Sequence, residues 1–155
     1  MQLGIWKRTF VSAAVSVGIA VGTLAGANAT ATAAPADTTS TITSEITPLA
    51  TQNLGLSTRQ AKGIQRRLKE FGYNPGTIDG YLGTNSWKAL QTAFRDGGLY
   101  TDAIDGIVGP NTIKALQRAM KDAWNYTGPI DGIAGDGTRA AFARFANWCV
   151  DLYGY

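Results

Sequence analysis

Three aspartates recur at a fixed spacing and are the first candidates for chemistry in this sequence. Asp79, Asp105 and Asp131 lie 26 residues apart, and each is followed by glycine. Repeated carboxylates can bind a metal ion or act as acid and base in hydrolysis. An Asp-Gly pair is also typical of a turn, because the Asp side chain accepts hydrogen bonds from backbone N–H groups nearby. We favour the turn.

The residues around each pair indicate the start of a helix. A second glycine follows each Asp-Gly pair at the same distance, and an apolar run with helical spacing comes next. These glycines stand where a helix cap belongs, and in one copy proline follows, which suits a first helical turn. The residues predicted to build these turns are Asp79, Gly80, Gly83, Asp105, Gly106, Gly109, Asp131, Gly132 and Gly135.

The residue types present argue against catalysis and metal binding. The chain has no histidine and a single cysteine, Cys149, so Ser–His, Cys–His and His-ligated zinc chemistry are all excluded. Glu45 and Glu70 are the only glutamates, and Glu45 lies outside the repeats. A calcium loop needs several oxygen side chains at alternating positions, whereas each copy offers one carboxylate. We therefore predict no enzyme, no metal site and no cofactor, with Cys149 buried as an apolar residue.

Short amphipathic helices must position the repeated turns. In the first copy Ala61, Ile64, Leu68 and Phe71 follow one another at spacings of three, four and three, which places them on one helical face. Four helices are predicted, near 58–71, 84–97, 110–123 and 136–150, with no substantial sheet. The same register aligns Gln65, Gln91 and Gln117. Because such short helices are unstable alone, we expect an all-α bundle of three to four helices joined by DGxxG loops.

The N-terminal part of the chain differs in composition from the repeats. Lys7 and Arg8 precede a short apolar stretch, and A-x-A sites follow it, which is typical of a secretory signal peptide. We predict a signal peptide over residues 1–33, cleaved after about residue 29 to 36. Residues 34–54 are rich in Thr, Ser and Ala without any period, which predicts a flexible, disordered linker. Residues 55–155 would then form one helical repeat domain.

The charge balance and the predicted export limit the possible partners. Removal of Lys7 and Arg8 with the signal peptide leaves 12 of the 14 basic residues and all 11 acidic residues, which gives a net charge of +1. Nucleic acid is an unsuitable partner for such a surface. Export predicts a secreted, extracellular or cell-wall-associated protein with no membrane attachment after signal cleavage.

Two stretches carry a family resemblance. With "GYNPGTIDGYLGTNSWKALQTAF" and "AIDGIVGPNTIKALQ", the chain resembles the peptidoglycan-binding-domain-like family of secreted bacterial cell-wall proteins. The signature is a helix ending in L and GY, then DGxxGxxT, then a helix carrying A, L or F, and Q. It is close from Leu56 to Gln117 and extends through the third copy to about Trp148. The resemblance implies a compact three-helix, non-catalytic domain that tethers a protein to peptidoglycan.

Two departures from the family pattern are visible in the sequence. Ser86 stands where the pattern has Thr in the first copy, and a third Asp-Gly unit with a fourth helix continues beyond a single domain. No partner enzyme domain accompanies the repeats. The resemblance therefore implies a free-standing wall-binding protein, with a secreted docking module for an envelope protein or a hydrolase as the alternative.

Aromatic residues are the candidates for the binding surface, because sugar faces stack on exposed rings. Tyr100, Trp124 and Tyr126 are predicted to line a shallow groove that binds the glycan strand or the stem peptide of peptidoglycan. Tyr100 and Tyr126 align with each other, so a shared packing role is equally open. Trp124 and Trp148 lie off the main apolar stripe and are the better candidates for exposed rings. Tyr81, in the first loop, is expected to be half-buried.

Overall fold

The computed structural model describes residues 51–155, so the predicted signal peptide (1–33) and most of the predicted linker (34–54) lie outside the described residues. Within this range the chain forms four α-helices and no strands. They are α1 (Thr58–Glu70), α2 (Thr84–Asp96), α3 (Pro110–Lys121) and α4 (Asp136–Tyr153). The predicted small helical bundle is confirmed, and all four helices start where the sequence places them. Their ends differ from the predicted ends by one to three residues.

The helix starts follow two different designs. At α1 the Ser57 hydroxyl accepts a hydrogen bond from the Gln60 N–H, while the Gln60 side chain accepts one from the Ser57 N–H. This reciprocal pair is a capping box. The other three helices start after a glycine in extended conformation, which supplies no side-chain cap. These glycines are Gly83, Gly109 and Gly135.

Each connecting segment returns to the beginning of the helix before it. Gly80, Gly106 and Gly132 each lie against the first residue of that helix, and all three have positive φ. A Cβ on these glycines would be 2.5, 2.7 and 2.7 Å from the carbonyl oxygen of that residue. Successive helices therefore begin side by side, and the 26-residue repeat of the sequence is also a repeat in space.

The core is built from equivalent positions on the four helices. Ile64, Leu90, Leu116 and Phe142 share one register position, and all four side chains are fully buried. The most extensive helix–helix contact lies between α1 and α4, where a Cβ on Gly63 would be 3.1 Å from the Cys149 Cβ. Cys149 is buried as predicted, and burial raises the pKa of its thiol to about 12. None of the helices found between residues 51 and 155 combines the length and the apolar character needed to span a bilayer.

Candidate functional site

A single buried glutamine organises the middle loop. The Gln91 side-chain nitrogen donates to Asp105 Oδ1 at 2.9 Å and to the Ile107 carbonyl at 3.1 Å. It also lies 3.1 Å from Thr112 Oγ1, while the Gln91 carbonyl oxygen accepts from the Gly106 N–H at 2.8 Å. A side-chain amide has both donor and acceptor atoms, so the one glutamine can bind a carbonyl and an N–H group of the loop backbone. Gln91 thus joins α2, the loop and the start of α3.

The first and third loops repeat this network. The Gln65 nitrogen lies 3.0 Å from Asp79 Oδ1, and the Gln117 nitrogen lies 2.8 Å from Asp131 Oδ1. In both loops the glutamine also reaches a loop carbonyl, a hydroxyl at the start of the next helix, and the glycine N–H. Sequence reasoning aligned the three glutamines and gave them no role. Their constant distance of 14 residues from the aspartate was the available signal.

Each aspartate is held inside its own turn. The Oδ1 atoms of Asp79, Asp105 and Asp131 accept hydrogen bonds from the N–H two residues on, at 2.9, 2.8 and 2.9 Å. This is the local bond that makes Asp a turn residue. Across residues 51–155 no group of three or more His, Cys, Asp or Glu side chains is arranged to hold a metal ion.

Acid should weaken these three turns together. The glutamine hydrogen bond, followed by the backbone hydrogen bond, lowers the pKa of Asp79, Asp105 and Asp131. A carboxyl group with a lowered folded pKa stabilises the fold above its unfolded pKa of about 3.9, and this contribution is lost as pH falls through the folded pKa. We expect thermal unfolding between pH 7 and pH 2 to show a steeper acid loss in the natural chain than in the triple Asp→Asn variant. Identical acid profiles would contradict this role.

Two of the three predicted ligand-binding residues lie in the interior. Tyr100 and Tyr126 are only 6% and 5% exposed. The Tyr100 hydroxyl donates to the Ala103 carbonyl at 2.9 Å, and the Tyr126 hydroxyl donates to the Pro129 carbonyl at 2.6 Å. A buried ring cannot stack on a sugar in an open groove, so both residues take the packing role that their alignment left open.

The third predicted residue, Trp124, belongs to an aromatic cluster. Its ring centroid lies 5.3 Å from that of Phe145 and 5.5 Å from that of Trp148. The Arg67 guanidinium lies over the Trp148 ring, 4.8 Å from its centroid, a favourable cation–π position. Trp124 and Trp148 are therefore half-buried rather than free rings, and a ligand role for Trp124 stays a prediction.

A polar cleft opens beside the first loop. Its volume is about 380 Å³, and it lies between the return segment 75–77 and the start of α2. The buried side chains of Gln65 and Ser86 contribute to its wall, together with Asp79 and Tyr81. Tyr81 is 54% exposed, more than expected, which leaves its ring free to contact a ligand. The cleft has the size of small-molecule sites, about 300–1,000 Å³. Sequence reasoning did not find it.

Comparison with known families adds one finding. The family model described as "Putative peptidoglycan binding domain" matches residues 57–116. This range begins at the capping residue of α1 and ends in α3, so it contains the cleft and the first two loops. The match confirms the family resemblance over residues 57–116, and the third loop and α4 lie outside the matched range. No curated protein and no solved structure matches the chain.

Proposed function

We propose, from the match of residues 57–116 to a peptidoglycan binding domain, that this protein is a secreted, non-catalytic module that binds bacterial cell-wall peptidoglycan. One observation carries the proposal: the matched range contains a polar cleft beside the first loop. The family match thus indicates peptidoglycan as the ligand, and the cleft indicates where on the domain it binds.

The composition of the cleft supports a neutral, hydroxyl-rich ligand. The cleft wall contains the amide of Gln65 and the hydroxyl of Ser86, both hydrogen-bonded within the loop network, and the exposed Tyr81 ring lies at the same cleft. Sugars are recognised by this combination of ring contact and polar groups. The absence of histidine from the sequence and the use of each aspartate in its own turn support a binding role without turnover.

Sedimentation with purified, protein-free sacculi tests the proposal. We expect the natural chain to co-sediment without releasing soluble fragments, and Tyr81→Ala to weaken binding about tenfold, or about 1.4 kcal/mol. Ile133→Ala is the matched control, because Ile133 occupies the same position in the third loop, is 67% exposed and does not line the cleft. Failure of the natural chain to bind would reject the function, and fragment release would reject a non-catalytic role.

One further observation favours docking to a protein as the second candidate. Tyr81, Ile107 and Ile133 occupy the same position in three adjacent loops and are 54%, 66% and 67% exposed. Exposed apolar side chains in register are typical of protein interaction surfaces. In this case the chain would ignore clean sacculi and bind walls that retain their proteins. The double variant Ile107→Asp, Ile133→Asp would then abolish binding to those walls.

A further inference from the structure

The first repeat lacks a side chain that the other two repeats share. The 26-residue register places Asn74 where the second and third repeats have Tyr100 and Tyr126. Asn74 is exposed, and its side chain accepts a hydrogen bond from the Gly76 N–H at 3.3 Å. Both tyrosines are buried instead.

The tyrosine ring of the third repeat fills a defined space. A Cβ on Gly128 would lie 2.7 Å from the Tyr126 hydroxyl oxygen, and a Cβ on Gly137 would lie 3.7 Å from its ring. The hydroxyl donates to the carbonyl of Pro129. The ring therefore occupies the region between the return segment and the start of α4.

The tyrosine of the second repeat reaches the equivalent loop carbonyl. Its hydroxyl donates to the Ala103 carbonyl at 2.9 Å and accepts from the Gln91 side-chain nitrogen at 3.3 Å. In the second repeat the Tyr100 hydroxyl is thus a hydrogen-bond partner of both the Ala103 carbonyl and the Gln91 amide.

The same positions line the open cleft in the first repeat. Gly76 corresponds to Gly128, Asn85 to Gly137, Thr77 to Ala103 and Pro129, and Gln65 to Gln91. All four first-repeat residues belong to the wall of the 380 Å³ cleft. The cleft is therefore the space that a tyrosine ring fills elsewhere in the molecule.

A difference in hydrogen bonding accompanies the open cleft. The Thr112 and Thr138 hydroxyls donate to loop carbonyls at 2.9 and 3.3 Å. Ser86, the departure from the family pattern, donates instead to the Pro75 carbonyl at 2.9 Å, on the return segment. This bond fixes one wall of the cleft in the absence of a tyrosine.

We propose that the cleft is a sugar subsite in which a neutral sugar ring of the glycan strand takes the place of the missing tyrosine. The inference rests on the proposed function and deepens it. A hydroxyl of the sugar would donate to the Thr77 carbonyl and accept from the Gln65 amide, as the phenol does in the second repeat. We assign a neutral ring, because the residues that line the cleft include the Asp79 carboxylate and no lysine or arginine that could pair with an anionic ligand.

Filling the cleft from within tests this proposal. The Asn74→Tyr variant restores the side chain of the other repeats, so we expect it to keep its thermal stability and to lose at least tenfold in affinity for sacculi. Asn74→Ala is the control and should bind as the natural chain does. As a second measurement on the natural chain, peptide-free glycan strands should shift the NMR signals of the Gln65 side-chain amide.

The outcomes distinguish the proposed sugar subsite from the proposed binding of peptidoglycan. If the natural chain and Asn74→Tyr bind sacculi equally, the subsite is rejected while peptidoglycan binding stands. If the natural chain fails to bind sacculi, both are rejected. If Gln65 responds to isolated stem peptides and not to glycan strands, the assigned ligand class is wrong. This NMR result also decides the matter should Asn74→Tyr fail to fold.

Discussion

Replacing Gly106 with alanine is expected to lower the free energy of unfolding by about 4 kcal/mol. Gly106 has a φ of 79°, and a Cβ there would lie 2.7 Å from the Thr84 carbonyl oxygen. Backbone strain of this kind costs about 1–3 kcal/mol, and overpacking costs about 1–3 kcal/mol more. The obstructing atom belongs to the backbone of α2, so it cannot rotate away. Urea denaturation monitored by circular dichroism measures the change.

The second glycine of the same loop provides the control. Gly109 has a φ of −89°, and no atom lies within 4 Å of a Cβ built on it. Gly109→Ala should therefore change stability by no more than about 1 kcal/mol, as expected for the loss of a neutral helix cap. Gly109→Ser should be neutral or stabilising, because serine can cap α3. Equal losses for Gly106→Ala and Gly109→Ala would contradict the proposed close packing of the loop on α2.

The two glycines also illustrate what the sequence could predict. Helix starts were predictable, because glycine, proline and the apolar stripe are local signals that act within one turn. The end of α4 was predicted three residues too early. Gly154, at a φ of 68° with its N–H bonded to the Val150 carbonyl, is the local stop signal that marks the true end.

Non-local features could not be predicted in the same way. The aromatic character of Tyr100 and Tyr126 is visible in the sequence, but their burial depends on how the return segment folds over them. The glutamines are periodic, yet their partners lie on a loop that only the fold brings close. The cleft was the hardest feature to predict. Asn74 stands where the other repeats have Tyr100 and Tyr126, and the consequence of the missing ring is visible only once the buried positions of those tyrosines are known.

The second large effect on the free energy of unfolding is expected for Gln91→Glu, a variant of the glutamine network whose stability should depend on pH. Gln91→Glu keeps the size of the side chain but replaces the donor nitrogen with an oxygen, 2.9 Å from Asp105 Oδ1. Gln91 is fully buried, so burial and the neighbouring carboxylate should both raise the pKa of the new glutamate above about 4.3. A rise of about three pKa units corresponds to about 4 kcal/mol lost at pH 7.5.

The sign of the pH dependence follows from the raised pKa. A group whose folded pKa lies above its unfolded value stabilises below the unfolded pKa, and this stability is lost as pH rises through the folded pKa. The protonated glutamate donates to Asp105 again, so the gap between Gln91→Glu and the natural chain should nearly close at about pH 4. Chemical denaturation of both proteins at pH 4.5 and pH 7.5 measures the gap.

A non-titrating variant separates charge from lost hydrogen bonds. Gln91→Met has a similar length and cannot ionise, so it leaves the Gly106 N–H without its acceptor at every pH. A buried unsatisfied donor costs about 1–3 kcal/mol, and this loss should be the same at pH 4.5 and pH 7.5. If Gln91→Glu behaved like Gln91→Met at both pH values, the carboxylate would not be buried against Asp105. The loop would then be held by its own turn and not by the helix beneath it.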